Sequence, residues 1–132
     1  MKKIVFVCLG NICRSPMAEF VMKSLTDQLK IESRATSSWE HGNPIHRGTQ
    51  AIFKKYAISY DRNKTSQQIS AADFADFDYV IGMDESNVRD LKRMAPEDFQ
   101  HKIYQFEEES VPDPWYTGDF DQAYDLVLAG CK

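Results

Sequence analysis

Short apolar runs alternate along this chain with longer segments in which apolar residues recur every three or four positions. Continuous apolar runs at residues 4–8 and 79–83 predict strands that are covered on both faces. Residues 102–106 are predicted to form another strand. The polar segment 34–38, which carries threonine and serine, predicts a short strand at a sheet edge. The pattern therefore indicates four strands.

The segments between these strands show helical spacing. The first helix is predicted to follow Ser15 as its N-cap, with Pro16 at its first position. Ser70 is predicted to cap a short helix reaching about Phe74, after a long polar loop over residues 59–70. The apolar positions of the other helices are Met17, Val21, Leu25 and Leu29; Thr49, Ile52, Phe53 and Tyr56; Val88, Leu91 and Ala95; and Phe120, Tyr124, Val127 and Cys131.

Strands that alternate with helices predict βαβ units and an α/β fold with one open parallel sheet. The carboxyl ends of parallel strands share one edge, where open α/β folds bind ligands. The four loops after the strands begin near Cys8, Trp39, Asp84 and Glu107, so these segments are expected to converge there. Because the 132 residues contain no linker or low-complexity tract, we expect a single domain over residues 1–132.

Charge and cysteine content narrow the class of protein. The formal net charge of −4 argues against nucleic acid or an anionic membrane as a general partner. No apolar run approaches the length of a membrane span. The start of the chain faintly resembles a signal peptide, but the apolar run breaks at Gly10 and Asn11 without a cleavage site. Three cysteines without secretory context predict free thiols and a cytoplasmic location.

The richest chemistry lies between the first strand and the first helix, in a segment that we call the phosphate loop (residues 8–15). It consists of Cys8, Leu9, Gly10, Asn11, Ile12, Cys13, Arg14 and Ser15. Gly10 and Asn11 tolerate positive φ, so the loop can curl and aim its N–H groups at a bound dianionic phosphate. Arg14 can hold two phosphate oxygens, and the same field favours the thiolate of Cys8. The loop thus predicts a nucleophile beside a phosphate site.

The string Cys8-Leu-Gly-Asn-Ile-Cys-Arg-Ser-Pro-Met-Ala-Glu19 closely resembles the signature of the low-molecular-weight protein tyrosine phosphatases. The resemblance continues at Met83-Asp-Glu-Ser-Asn87 and Asp113-Pro-Trp-Tyr116. It implies a four-stranded sheet in the order 2-1-3-4, with helices on both faces and the phosphate loop at the switch point. It also implies hydrolysis of tyrosine-phosphorylated proteins or peptides through a cysteinyl-phosphate, with inorganic phosphate as product and no cofactor.

Three catalytic roles follow for such a reaction. Cys8 would be the nucleophile, and Arg14 would bind the equatorial phosphate oxygens. Asp113 would protonate the leaving oxygen and then activate the hydrolytic water. Its neighbours Pro112 and Trp115 would remove water from the carboxylate and favour its proton-donating form. The alternative is that Asp113 merely starts a turn, since Asp-Pro is a common turn dipeptide.

Several polar residues are candidates for supporting the loop. Ser15 can cap the helix and donate its hydroxyl to the sulfur of the nucleophile, and Asn11 is expected to hold the left-handed bend by side-chain hydrogen bonds. Asp84 and Ser86 resemble family residues that brace the loop, although helix capping explains Asp84 equally well.

The remaining thiols and imidazoles carry weaker signals. Cys13 could form a reversible protective disulfide with Cys8 or be an inert packed thiol, and Cys131 is expected in the core. The three histidines (His41, His46 and His101) have no metal-ligand spacing with the cysteines, so no metal site is expected.

Specificity for phosphotyrosine requires a deep apolar slot. Trp115 and Tyr116 on one side, with Trp39 or Ile12 on the other, could form its walls. Ordinary edge packing is the alternative for Trp39. The resemblance weakens after the second strand, where His46-Arg-Gly48 stands in place of the Asp-Pro-Arg of many family members.

Three other functions fit parts of this sequence less well. Thioredoxin-coupled arsenate reductases need two further cysteines near the third strand, and residues 79–93 contain none. Protein-arginine phosphatases usually carry threonine at the position of Ile12, whose bulk favours an aryl substrate. A non-catalytic phosphotyrosine-binding module would need neither Cys8 nor Asp113. The sequence therefore favours a protein tyrosine phosphatase.

Overall fold

The computed structural model describes residues 2–106 and 112–131, which form a parallel sheet with helices packed against it. The elements in chain order are β1 (Lys2–Cys8), α1 (Arg14–Leu25), β2 (Leu29–Ala35), α2 (Arg47–Lys55), α3 (Ala71–Asp76), β3 (Tyr79–Gly82), α4 (Glu85–Met94), a 3-10 helix (Glu97–Lys102), β4 (Ile103–Gln105), α5 (Pro114–Thr117) and α6 (Phe120–Cys131). The strand order is β2-β1-β3-β4, and every pair is parallel, as predicted.

Alternate residues of β1 enter two separate cores, one on each face of the sheet. Phe6 and Cys8 pack with α1, α2 and α6, whereas Val5 and Val7 pack with α3 and α4. Because both faces of this central strand are covered, its sequence reads as a continuous apolar run rather than an alternation. The pairing of β1 with both β2 and β3 fixes the position of the loop that leaves its carboxyl end.

The start of α1 differs from the prediction. The helix begins at Arg14, so Ser15 and Pro16 lie within its first turn, and the N-cap position belongs to Cys13 without a side-chain capping bond. The prediction of Ser15 as the N-cap was therefore wrong. A capping preference reflects only the neighbouring residues in the chain. In the folded protein the hydroxyl of Ser15 contacts Cys8 and Asn11 of the phosphate loop.

The second strand also differs from the prediction. β2 spans Leu29–Ala35 rather than residues 34–38, and Leu29 belongs to it rather than to the apolar face of α1. Its register aligns Lys2 of β1 with Leu29. One of its inward positions is Ser33, which is fully buried, so the apolar alternation that marks a strand is interrupted. The prediction that this strand lies at an edge is confirmed.

The other predicted elements are confirmed with small shifts of their ends. The long segment 59–70 contains no helix or named strand. Two short elements, α5 and the 3-10 helix, were not predicted, because such short pieces show too little periodicity. The predicted loop at Glu107 lies outside the described residues. None of the helices in residues 2–106 and 112–131 combines the length and hydropathy that a membrane span requires.

The capping of α3 gives a direct test of this fold. Ser70 and Asp73 form a reciprocal capping box, in which each side chain accepts from the backbone N–H of the other residue. Replacing Ser70 with alanine removes one of these bonds, so we expect a loss of about 1 kcal/mol of unfolding free energy. Thermal denaturation should show a fall in Tm of roughly 3 to 6 °C. Ser59→Ala, at an exposed loop position, is the control, and equal Tm values for the two variants would contradict the capping assignment.

Candidate active site

The backbone of the phosphate loop turns at Asn11, which has a φ of 56°. Gly10 does not adopt positive φ, although the sequence allowed it. The side-chain amide of Asn11 donates to the hydroxyls of Ser15 at 2.8 Å and Ser33 at 2.9 Å, and its oxygen accepts from the Gln67 N–H at 3.2 Å. These bonds compensate the cost of a left-handed conformation in a residue with a side chain.

The sulfur of Cys8 lies at the centre of this turn. It accepts the backbone N–H of Asn11 at 3.2 Å and lies 3.0 Å from the hydroxyl oxygen of Ser15. Because the Ser15 oxygen accepts from the Asn11 amide, its own proton can go to the sulfur or, over a longer distance of 3.4 Å, to the carbonyl of Arg34. This arrangement can stabilise negative charge on Cys8.

A buried polar chain continues from Asn11 away from the sulfur. Ser33 donates to the carboxylate of Glu19 at 2.6 Å, and Glu19 pairs with Lys23 at 2.7 Å and Lys64 at 3.3 Å. Burial lowers the pKa of Lys64, although Glu19 opposes this effect. This buried polar chain was not predicted from the sequence. The residue that could have indicated it is Glu19, which lies beside the apolar positions of α1. An acidic residue is rarely buried in a core unless it is paired.

Arg14 is held between two carboxylates. One of its terminal nitrogens lies 2.6 Å from Asp84 and the other 3.4 Å from Asp113, and only 3% of its side chain is exposed. Burial alone would lower the pKa of Arg14, but the charges of Cys8, Asp84 and Asp113 together raise it. The guanidinium therefore remains charged in a buried position beside the nucleophile.

Asp84 and Asp113 each make two contacts, one to Arg14 and one that caps a helix. Asp84 contacts Arg14 with one oxygen and caps α4 with the other, which accepts the Asn87 N–H at 2.7 Å. Asp113 likewise contacts Arg14 and caps α5 by accepting the Trp115 N–H at 3.0 Å. Each capping bond holds the carboxylate so that its second oxygen contacts Arg14.

Ser86, in contrast, is not part of the observed support. It lies on the exposed face of α4, and its hydroxyl accepts from Arg89 at 3.2 Å. The resemblance implied that it braces the loop together with Asp84. At the second position of α4, however, its side chain is exposed to solvent.

A pocket opens directly over the sulfur. It is lined by Cys8, Leu9, Gly10, Asn11, Ile12, Cys13, Trp39, Glu40, Asp113, Trp115 and Tyr116. The three large aromatics at its rim are mostly exposed, at 78% for Trp39, 55% for Trp115 and 75% for Tyr116. Exposure of Trp39 argues against the edge-packing alternative. Glu40, which was not predicted from the sequence, also lines the pocket.

The three cysteines are buried, and none of them forms a disulfide. Cys131 lies in the core formed by α1 and α6, as predicted. Burial and the neighbouring charge of Cys8 raise the pKa of Cys13, so this side chain remains a neutral thiol near pH 7. Within residues 2–106 and 112–131, no group of three or more histidine, cysteine or acidic side chains could hold a metal ion.

The comparisons with known proteins agree with this geometry. The family described as low molecular weight phosphotyrosine protein phosphatase matches residues 3–132. The low molecular weight protein-tyrosine-phosphatase PtpA of Staphylococcus aureus is 45% identical, and the match covers 99% of this chain and 90% of that protein.

Two solved structures are similar over nearly the whole chain. The low molecular weight protein tyrosine phosphatase SP-PTP from Streptococcus pyogenes is 62% identical, with a TM-score of 0.97 over 99% of this chain and 89% of that one. The arginine phosphatase of Drosophila is 34% identical, with a TM-score of 0.88 over 99% of this chain and 93% of that one.

The different environments of the thiols predict selective alkylation. Iodoacetamide at pH 7 should modify Cys8 first, since its sulfur opens to the pocket, whereas Cys13 is held as a thiol and Cys131 is in the core. Peptide mass mapping over time measures the three rates, and added inorganic phosphate should slow only the first. The Cys8→Ser variant serves as the control and should resist modification. Alkylation of Cys13 as fast as Cys8 would contradict the assignment.

Proposed function

This chain belongs to the low molecular weight phosphotyrosine protein phosphatase family and is a protein tyrosine phosphatase, and we propose that Cys8, Arg14 and Asp113 carry its reaction. The observation that carries the proposal is their convergence on one pocket. The sulfur of Cys8 lies beneath it, Arg14 contacts the carboxylate of Asp113, and both Cys8 and Asp113 line it. Asp113 lies 99 residues after Arg14 in the chain, and it meets Arg14 and Cys8 only at the carboxyl edge of the sheet.

In the first step the thiolate of Cys8 attacks the phosphorus of a phosphotyrosine. The new S–P bond forms as the bond from phosphorus to the tyrosine oxygen breaks, and Asp113 gives its proton to that oxygen. Arg14 and the loop N–H groups hold the equatorial oxygens as charge spreads over them. The contact between Arg14 and Asp113 gives way as the phosphate takes the guanidinium.

In the second step a water molecule attacks the cysteinyl-phosphate. The carboxylate of Asp113 takes a proton from this water, the S–P bond breaks, and inorganic phosphate leaves with Cys8 again a thiolate. The hydroxyl of Ser15, 3.0 Å from the sulfur, stabilises the negative charge of the departing thiolate. The reaction balances without a cofactor.

The substrates implied by the family are phosphoproteins. We propose tyrosine-phosphorylated segments in particular, because three large aromatic side chains and the apolar Ile12 line the pocket. An aromatic ring gains more from such walls than a smaller or charged side chain does. The Ile12 side chain also disfavours phosphoarginine, whose guanidinium would meet an apolar group. The three free thiols support a reducing, cytoplasmic location.

Replacement of Asp113 with asparagine separates catalysis from folding. Asparagine caps a helix as well as aspartate does, so α5 should remain capped while the proton donor is lost. We expect kcat on a phosphotyrosine peptide to fall by about 10² to 10⁴. The loss on p-nitrophenyl phosphate should be smaller, since nitrophenolate is a better leaving group than the phenolate of tyrosine, whose pKa is roughly 10.

Asp125→Asn, at an exposed position of α6, is the matched control and should leave both rates unchanged. Equal losses on the two substrates, together with a lower Tm, would show that Asp113 only caps a helix.

Replacement of Cys8 with serine tests the covalent step. The hydroxyl is a much weaker nucleophile, so turnover of phosphotyrosine, phosphoserine and phosphoarginine peptides should be lost while inorganic phosphate still binds. The wild-type protein should prefer the phosphotyrosine peptide in kcat/KM. Activity of Cys8→Ser within tenfold of the wild type would exclude the cysteinyl-phosphate, and a preference for phosphoarginine would exclude the proposed substrate class.

A further inference from the structure

His46 joins three parts of the molecule at the edge of the pocket. Its backbone N–H donates to the carbonyl of Ile12 in the phosphate loop at 2.8 Å. Its ring nitrogen Nδ1 accepts the N–H of Gly48 at 3.0 Å and so caps α2. Its ring stacks on Phe120 at the start of α6, with centroids 5.1 Å apart and planes inclined by 17°. His46 is thus fixed by its backbone hydrogen bond, by the cap that its ring nitrogen forms and by the stacking of its ring.

Gly48 makes this packing possible. A Cβ atom at this position would lie 2.4 to 2.6 Å from three carbons of the Phe120 ring, which is closer than atoms can approach. The absence of a side chain lets Phe120 enter the space beside α2 and stack on His46. His46, Gly48 and Phe120 therefore form one unit, at the place where the sequence departs from the Asp-Pro-Arg of many family members.

This unit supports Trp115. The ring of His46 meets that of Trp115 edge to face, with centroids 5.5 Å apart and an angle of 82°. Within residues 2–106 and 112–131, His46 provides the one ring that packs against Trp115. Trp115 is otherwise weakly held, because α5 has four residues and buries only Pro114. The position of this pocket wall thus depends on a single imidazole.

We propose that His46 is a positioning residue that holds Trp115 as a wall of the slot for the substrate's aromatic ring. The inference rests on the proposed function and adds a specificity role to it. His46 does not line the pocket, so it acts through Trp115 rather than on the substrate. Its loss should weaken binding of aromatic phosphate esters while leaving the phosphate loop and the chemical step intact.

Two substitutions separate the ring from the cap. His46→Asn keeps a capping oxygen but removes the ring, so KM for a phosphotyrosine peptide should rise about two- to tenfold, the factor expected for lost aromatic contacts, with kcat within about twofold of the wild type. His46→Phe keeps the ring but loses the cap, so Tm should fall while KM changes little. Inhibition by inorganic phosphate should be unchanged in both. His101→Asn, an exposed histidine on the 3-10 helix, is the matched control.

A double-mutant cycle tests whether the effect passes through Trp115. In a Trp115→Ala background, His46→Asn should no longer change KM, because the ring it supports is absent. A second route is Phe120→Leu, which removes the stacking partner of His46 and should raise KM as His46→Asn does. This variant carries the test if His46→Asn fails to fold.

Fluorescence gives a readout that does not need turnover. In a Trp39→Phe background, Trp115 is the one tryptophan, and its anisotropy should fall in His46→Asn but not in His101→Asn. Unchanged anisotropy, or a KM effect of equal size with and without Trp115, would overturn the positioning role. A parallel rise in the inhibition constant for phosphate would also overturn it, since the effect would then come from the Ile12 contact. If the wild-type protein does not hydrolyse the phosphotyrosine peptide, the proposed function is refuted. The anisotropy result then decides this inference by itself.

Discussion

The hydrogen bonds that hold Asn11 in a left-handed conformation determine the geometry of the whole site. They tie its side chain to Ser15, to Ser33 of β2 and to the segment at Gln67, while its backbone N–H points at the sulfur of Cys8. A non-glycine residue at positive φ is costly, and here the cost is offset by bonds to three separate segments. The loop is therefore rigid before a phosphate arrives, so little ordering remains to be done on binding.

The positive charge that the phosphate loop offers to an anion comes from one buried and paired side chain, not from the net charge of the molecule. The chain carries a formal charge of −4 and yet is built to hold a dianion. Arg14 provides the local positive charge, and its buried guanidinium is fixed by Asp84. An unpaired buried cation would be expensive, whereas this one has carboxylates on two sides. Replacement of one carboxylate contact by a substrate phosphate would keep the guanidinium paired throughout.

The rim of the pocket is built differently from its base. The phosphate loop is buried and bonded to several elements, whereas Trp39, Trp115 and Tyr116 are mostly exposed. Trp115 stands on a short helix and relies on the ring of His46. In the function that we propose, chemistry belongs to the part of the molecule with many constraints and substrate preference to the part with few. Such a division lets the specificity of the rim change without disturbing the catalytic geometry.

The sequence alone determined the strand order, most of the helices, the phosphate loop and the convergence of Cys8, Arg14 and Asp113. These features follow from apolar runs, from residue types with few conformational alternatives and from a signature that resembles a known family. Ser15 was predicted both to cap α1 and to contact the sulfur, and only the tertiary structure decided that it does the second alone, because that choice depends on Asn11 and on Ser33 across the sheet. It likewise decided the buried chain through Glu19 and the stacking around His46. These contacts join residues far apart in the chain, and neither the periodicity of the sequence nor local residue preferences can indicate them.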